Sequence, residues 1–145
     1  MKIAIGADHG GFDLKESLAQ SLRLQGYVVV DCGTFSDRSV DYPEYGVAVG
    51  ESVANGEADT GIAVCGSGIG IAMAANKVRG IRAATIHDVT TARLARAHNN
   101  ANVACFGARI IGFETALDAL KAWLETSFDV TSERHLRRVA QLDGL

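Results

Sequence analysis

The stretch Thr60 to Lys77, TGIAVCGSGIGIAMAANK, decides the fold. Gly61 to Val64 is a short apolar run of β-favouring side chains, Cys65 to Gly70 is a glycine-rich turn, and the residues from Ile71 onward read as a helix. Strand, tight loop and helix in that order place Cys65 at the carboxyl end of a strand. The glycines at 66, 68 and 70 leave room for a ligand to approach the backbone, and the helix start faces whatever occupies the loop. Such a setting suits a thiolate, a phosphate or an enolate oxygen. An inert core thiol is the competing reading of Cys65. The glycine loop and helix start favour a reactive one, whereas Cys32 and Cys105 lack that setting and read as packing residues.

Outward from this unit the same alternation repeats. Lys2 to Asp8 reads as a first strand, followed by helix with Leu14, Leu18 and Leu22 on one face, stopped by Gly26 before a second strand over Tyr27 to Asp31. A polar loop over residues 33–41 precedes the only proline, Pro43, placed in the first turn of a helix that runs to about Asn55. Ile81 to His87 gives a fourth strand; Asp88 with Thr91 starts a helix through Leu94 to His98; Ala101 to Phe106 gives a fifth strand. Phe113, Ala116, Leu117, Leu120 and Leu124 recur at helical spacing, and Thr131 to Leu142 forms a basic amphipathic helix with Arg134, His135, Arg137 and Arg138. Nearly all-apolar strands alternating with helices predict an α/β fold, a doubly wound, Rossmann-like parallel sheet of five strands in one domain over residues 1–145. Its site belongs at the strands' carboxyl ends, where Asp8 and His9, Asp31 and Cys32, Cys65 to Gly70, and His87 gather.

Composition limits the functional classes. The chain has 145 residues, 48% hydrophobic and 21% charged, with a formal charge of −3, which argues against a nucleic-acid coat. No apolar run approaches the roughly 20 residues of a membrane span and the N-terminus enters strand directly, so a cytoplasmic location is expected. Three widely spaced cysteines suggest no disulfide framework, and the four histidines form no short-range metal motif.

The glycine loop fails the common nucleotide signatures. A dinucleotide fingerprint needs a glycine at 71, where isoleucine stands, and in the first loop Asp8 occupies the middle glycine's place. A P-loop needs Lys and Ser or Thr after its last glycine, but Ile71 follows Gly70; a cysteine phosphatase expects arginine at that same position. Arg134 and Arg138, four apart, face the same way and suit one phosphate, against the alternative of a solvated basic face. His98 either serves chemistry or favours the dipole at a helix end. His9, beside Asp8 and before two glycines, is the stronger ligand contact.

Together, GADHGGFDLK, DYPEY, CGSGIGIAMAANK, GIRAA, ARAHNNANV, FGARIIG and RHLRRV resemble the ribose-5-phosphate isomerase B (RpiB/LacAB) sugar-phosphate isomerase family along essentially the whole chain. The resemblance implies aldose–ketose interconversion through a cis-enediolate without metal or other cofactor. It implies Cys65 as the proton-transfer base, with Ser67 and the loop through Gly66, Gly68, Ile69 and Gly70 holding the enediolate oxygen. Family members often carry threonine at Ser67, which keeps the hydroxyl; another branch has glycine in place of Cys65 and a glutamate aligned with Ile71, so this chain matches the cysteine branch. By the same resemblance His98 opens the furanose, Asp8 and Asn99 bind sugar hydroxyls with Tyr42 close by, and His9, Arg134 and Arg138 hold the phosphate with help from Arg109. Only the 134/138 pair reproduces the family spacing, which sets Arg137 aside. The family is dimeric or tetrameric, with His98, Asn99 and Arg109 entering a neighbouring subunit's site. A non-catalytic sugar-phosphate sensor would need the phosphate residues but not Cys65 together with His98.

Overall fold

A computed structural model describes residues 1–145. The elements run β1 (Lys2–Ala7), a 3-10 turn (His9–Gly11), α1 (Phe12–Leu24), β2 (Val28–Asp31), α2 (Tyr42–Ala54), β3 (Thr60–Cys65), α3 (Ile69–Ala75), β4 (Ala83–Thr85), α4 (Val89–Asn99), β5 (Val103–Gly107), α5 (Phe113–Glu125) and α6 (Glu133–Asp143). All strand pairs are parallel, in the order β2-β1-β3-β5-β4. This is the doubly wound α/β sheet expected from the alternating pattern. Because β2 lies on one side of β1 and β3 on the other, the chain reverses direction across the sheet between β1 and β3. Ligand crevices form at the carboxyl ends of such a pair, because the two following loops diverge to opposite faces.

The pleat sends alternate side chains into two cores. Ile3, Ile5, Ile62, Val64, Ala104 and Phe106 pack under α1, α4 and α5, while Ala4, Ala63, Cys65, Val103 and Cys105 meet α2 and α3. Trp123 of α5 is fully buried, and its indole N–H donates to Thr60 Oγ1 at 3.3 Å.

The local signals explain most boundaries. The C-cap Gln25 is followed by Gly26 at φ +88°, which ends α1; Pro43 falls in the first turn of α2; Asp88 and Thr91 form a reciprocal capping box on α4. Other boundaries move. The helix expected from Ile71 begins at Ile69, and the one expected over Thr131 to Leu142 is Glu133–Asp143 after the N-cap Ser132. The fourth strand shrinks from residues 81–87 to Ala83–Thr85, and the fifth shifts from Ala101–Phe106 to Val103–Gly107. Asn76 accounts for part of this at the sheet edge. Its side-chain amide donates to Ala83 C=O at 2.9 Å and its side-chain oxygen accepts from Ala83 N–H at 2.8 Å, serving Ala83 as a neighbouring strand would.

One buried group had no sequence signal. Lys15 of α1 is fully buried, with Nζ at 2.8 and 2.9 Å from the two oxygens of Asp31 at the end of β2 and 2.9 Å from Glu16 Oε1. Asp31 Oδ1 also accepts the Gly33 N–H at 2.9 Å, so this carboxylate holds the start of the 33–41 loop rather than facing a ligand.

Candidate active site

At the carboxyl end of β3, Cys65 is 4% exposed and its Sγ accepts the Gly68 N–H at 3.1 Å. Gly68 stands at φ +77°, and a Cβ there would lie 2.8 Å from the Phe106 carbonyl carbon, so glycine is required on both counts. That left-handed residue turns the chain back so that its N–H points at the sulfur. Thr85 Oγ1 of β4 donates to Gly68 C=O at 3.2 Å and fixes the other side of the same residue. Ser67 Oγ accepts the Ile69 N–H at 3.2 Å, which leaves the serine proton free to donate outward.

The neighbouring loops close on this one at glycines. A Cβ on Gly66 would meet the Arg109 guanidinium at 3.2 Å, a Cβ on Gly70 would meet the Tyr42 ring at 2.7 Å, and one on Gly10 would meet Gly66 N at 3.4 Å. Arg109 and Tyr42 therefore lie directly on the cysteine loop of their own chain. The expectation from resemblance sent Arg109 into a neighbouring subunit's site; within the chain its guanidinium covers Gly66, and its backbone N–H donates to Gly66 C=O at 2.9 Å. Asp8 is 8% exposed and caps the 3-10 turn, accepting the Gly11 N–H at 3.1 Å. His9 Nδ1 lies 3.1 Å from Val40 C=O and 3.2 Å from Val40 N–H, which ties the 33–41 loop down and leaves Nε2 facing outward. His87 reaches this edge too, but is exposed.

The remaining predicted residues are elsewhere. His98 and Asn99 end α4, just before β5, and Asn102 C=O accepts the Gly61 N–H at 2.9 Å at the opposite, amino edge of the sheet. From Gly61 to Cys65 the strand spans about 13 Å at roughly 3.3 Å per residue, so His98 cannot reach Cys65 within one chain. The His98 ring stacks on that of His135 in α6, centroids 4.3 Å apart and tilted by 33°. Arg134 and Arg138, both exposed, flank His135 on α6. A cavity of about 790 Å³ opens at this edge, lined in part by Asn99, Arg82 and Asp143. The predicted residues thus form two groups at opposite ends of the sheet: Asp8, His9, Tyr42, residues 65–70 and Arg109 at one, and His98, Asn99, Arg134 and Arg138 at the other.

The electrostatics bear out the reading of Cys32 and Cys105 as inert thiols. Burial, with Cys65 beside it, pushes the Cys105 thiol far up, and burial together with the Asp31 carboxylate raises Cys32, so both stay protonated. Neither faces a glycine loop. Burial also pushes His135 below the usual imidazole range, assisted by His98 and Arg134, while Asp129 pulls it back up. His135 is 6% exposed although it lies in a basic segment, and its Nδ1 has no hydrogen-bond partner, Asp129 Oδ2 being 3.7 Å away. The signal for its burial was the four-residue spacing to Val139, which puts both on the inward face of α6. No group of three His, Cys, Asp or Glu side chains converges as a metal-ligand set would.

A buried cysteine held by a glycine loop that an arginine overlies suits proton transfer on an anionic carbon compound. Known proteins agree. Residues 3–142 match the family described as Ribose/Galactose Isomerase. The chain is 43% identical over 144 residues to ribose-5-phosphate isomerase B of Escherichia coli strain K12, covering 99% of this chain and 95% of that protein. It is 45% identical over 135 residues to D-erythrulose-4-phosphate isomerase 2 of Mycolicibacterium smegmatis, covering 91% and 89%. The solved structure of Clostridium thermocellum ribose-5-phosphate isomerase B superposes with a TM-score of 0.96 at 47% identity, covering 99% of this chain and 96% of that one. With the fold, the cysteine loop and these relatives in accord, the chain belongs to the Ribose/Galactose Isomerase family and is a sugar-phosphate isomerase.

Proposed function

We propose that this isomerase interconverts ribose 5-phosphate and ribulose 5-phosphate with Cys65 as the proton-transfer base, in a homodimer or homotetramer whose sites are shared between copies. The observation that carries the mechanism is the Cys65 sulfur, held by the Gly68 N–H at 3.1 Å in a loop that the Arg109 guanidinium overlies. A proton acceptor and a cation for the phosphate then stand over one short segment. The names of the E. coli and C. thermocellum relatives support the five-carbon substrate.

The reaction begins with ring opening. As the C1–O4 bond breaks, O4 takes up a proton and the O1 hydroxyl gives one up, leaving an aldehyde at C1; His98 of a second copy handles this exchange. Cys65 thiolate then removes the proton on C2, and the electron pair moves through C1 to O1 as an enediolate. Ser67, whose hydroxyl proton is free, and the loop through Gly70 donate to that oxygen; such preorganised donors each contribute about 3 kcal/mol. The O2 hydroxyl proton passes to O1, the Cys65 thiol returns its proton to C1, and C2 becomes the carbonyl of the ketose. No electron leaves the sugar, so neither an oxidant nor a cofactor is required. Asp8 and Asn99 bind hydroxyls beside Tyr42, and His9, Arg109, Arg134 and Arg138 hold the phosphate.

Sharing follows from the separation of the two groups of residues. The rim of the cysteine loop supports it, because Ile69, Met73 and Ile110 are 52%, 63% and 58% exposed there, an apolar surface suited to a second copy. No helix is long and apolar enough to cross a membrane, and a cytoplasmic location is part of this reading.

A second substrate is favoured by one observation, the 45% identity to a D-erythrulose-4-phosphate isomerase. Allose 6-phosphate and galactose 6-phosphate would need the same residues with a different distance between Cys65 and the phosphate cations. The deciding experiment is kcat/KM on four-, five- and six-carbon aldose and ketose phosphates, with chelator present. Preference for the five-carbon pair supports the proposal; preference for another length keeps the mechanism and replaces the substrate. Turnover with none would return the chain to the role of a sugar-phosphate sensor.

A further inference from the structure

His98 is an exposed residue whose ring stacks on the buried ring of His135. Its Nδ1 is buried without a hydrogen-bond partner, a state that costs about 1–3 kcal/mol wherever a polar atom is shut away from water. A leucine would fill the inward face of α6 beside Val139 without that penalty. What a leucine lacks is a flat face. The two imidazoles meet at 4.3 Å with a 33° tilt, a separation at which ring faces are in contact. Asp129 Oδ2 lies 3.7 Å from Nδ1, and Asp129 is itself held by Thr131, whose N–H and Oγ1 donate to Oδ1 at 3.0 and 2.6 Å.

We infer that His135 is a positioning residue for ring opening: its imidazole face holds the otherwise exposed His98 side chain in one orientation, so that His98 meets the ring oxygen of a substrate seated in the other copy's cysteine loop. This inference rests on the reading of His98 as the ring-opening group. Holding an exposed side chain in a single rotamer matters because proton transfer needs heavy atoms within about 3 Å, and a misplacement of about 1 Å can lower a rate 100-fold.

The test exploits a difference between the two sugars. Ribose 5-phosphate is predominantly a furanose, whereas ribulose 5-phosphate cannot close one, because the oxygen that would attack C2 carries the phosphate. Exchange of the C1 proton of ribulose 5-phosphate with solvent therefore needs Cys65 and the phosphate anchors but not ring opening. The readout is kcat/KM for ribose 5-phosphate divided by the exchange rate constant, measured on the full-length assembled protein for wild type, His98→Ala, His135→Leu, His135→Ala and His135→Phe. The expected ratio falls tenfold or more in His98→Ala, falls at least fivefold in both His135→Leu and His135→Ala, and stays within twofold of wild type in His135→Phe, which keeps a flat ring. A uniform loss of both activities in the leucine and alanine variants would mean that His135 only packs α6, and would overturn the inference; so would an unchanged ratio, or a ratio in His135→Phe as low as in leucine. If His98→Ala leaves the ratio unchanged, the ring-opening assignment fails and the inference with it, whereas a fall in His98→Ala alone refutes the role of His135 only.

Discussion

Replacing Gly68 by alanine perturbs the fold and the site through one atom, and the size of the effect follows from two separable contributions. The residue sits at φ +77°, a conformation that costs an L-residue with a Cβ about 1–2 kcal/mol. The added Cβ would also lie 2.8 Å from the Phe106 carbonyl carbon and 2.9 Å from Gly107 N, both backbone atoms of the adjacent strand, and such overpacking costs about 1–3 kcal/mol more. Gly56 supplies the control: it has φ +75° and a Cβ there would meet nothing within 4 Å, so Gly56→Ala incurs the conformational cost alone. At about 3 °C per kcal/mol for a chain of this length, Gly56→Ala should lower Tm by about 3–6 °C and Gly68→Ala by about 6–15 °C. The assay is thermal unfolding by circular dichroism at one fixed protein concentration, since assembly shifts Tm by mass action. Relief of the clash moves the Gly68 N–H off the Cys65 sulfur, so kcat should fall about 100-fold in Gly68→Ala and remain unchanged in Gly56→Ala. Equal Tm losses in the two variants, or full activity in Gly68→Ala, would refute the reasoning that this loop is held by strand β5 to present a donor to Cys65.

Cys65→Ala should abolish proton exchange at C2 while leaving the binding of a phosphorylated competitive inhibitor within about threefold of wild type; persistence of turnover would remove the base assignment. Arg134→Ala, losing a charge-assisted hydrogen bond of about 1.5–3 kcal/mol, should raise KM about tenfold or more for the phosphorylated substrate with a smaller change in kcat, and an unaltered KM would return α6 to a solvated basic face. Lys15→Ala leaves Asp31 without its cation and should destabilise by about 3–5 kcal/mol in urea titrations; a loss under about 1 kcal/mol would show that Asp31 is adequately solvated. His135 binds its proton less readily folded than unfolded, so the unfolded chain takes up more protons below about pH 6.5 and stability falls as pH drops through that range. The slope of Tm between pH 7 and pH 5 should therefore be shallower in His135→Leu than in wild type, and an identical slope would contradict the assignment.

The sheet was legible because the strands are nearly all apolar and several helix boundaries carry their own residue: Gly26, Pro43, the Asp88 and Thr91 box. The extent of β4 was not, because Ala83 takes its outer hydrogen bonds from the side chain of Asn76, which no propensity encodes. The cysteine loop was readable for the same reason as the strands, since three glycines at two-residue spacing after an apolar run leave few alternatives. Sequence placed Asp8, His9 and residues 65–70 at one sheet edge by the strand-end rule, and the structure adds Tyr42 and Arg109 to that edge through their packing on Gly70 and Gly66. Lys15 and His135 were missed as buried groups because their partners, Asp31 and His98, lie 16 and 37 residues away and belong to other elements. A charged residue on a helix is read as solvated until its partner in space is known.

Cys65 and His98 stand at opposite ends of β3 and β5, so the account requires two copies to complete one site. The most direct test is complementation. Cys65→Ala and His98→Ala, each nearly inactive alone, are mixed under conditions that exchange subunits, and activity on ribose 5-phosphate is followed. In a mixed pair one site receives the intact Cys65 of one copy and the intact His98 of the other, while the second site receives neither. Random twofold pairing then restores about a quarter of wild-type activity. Exchange of subunits with no recovery would contradict shared sites.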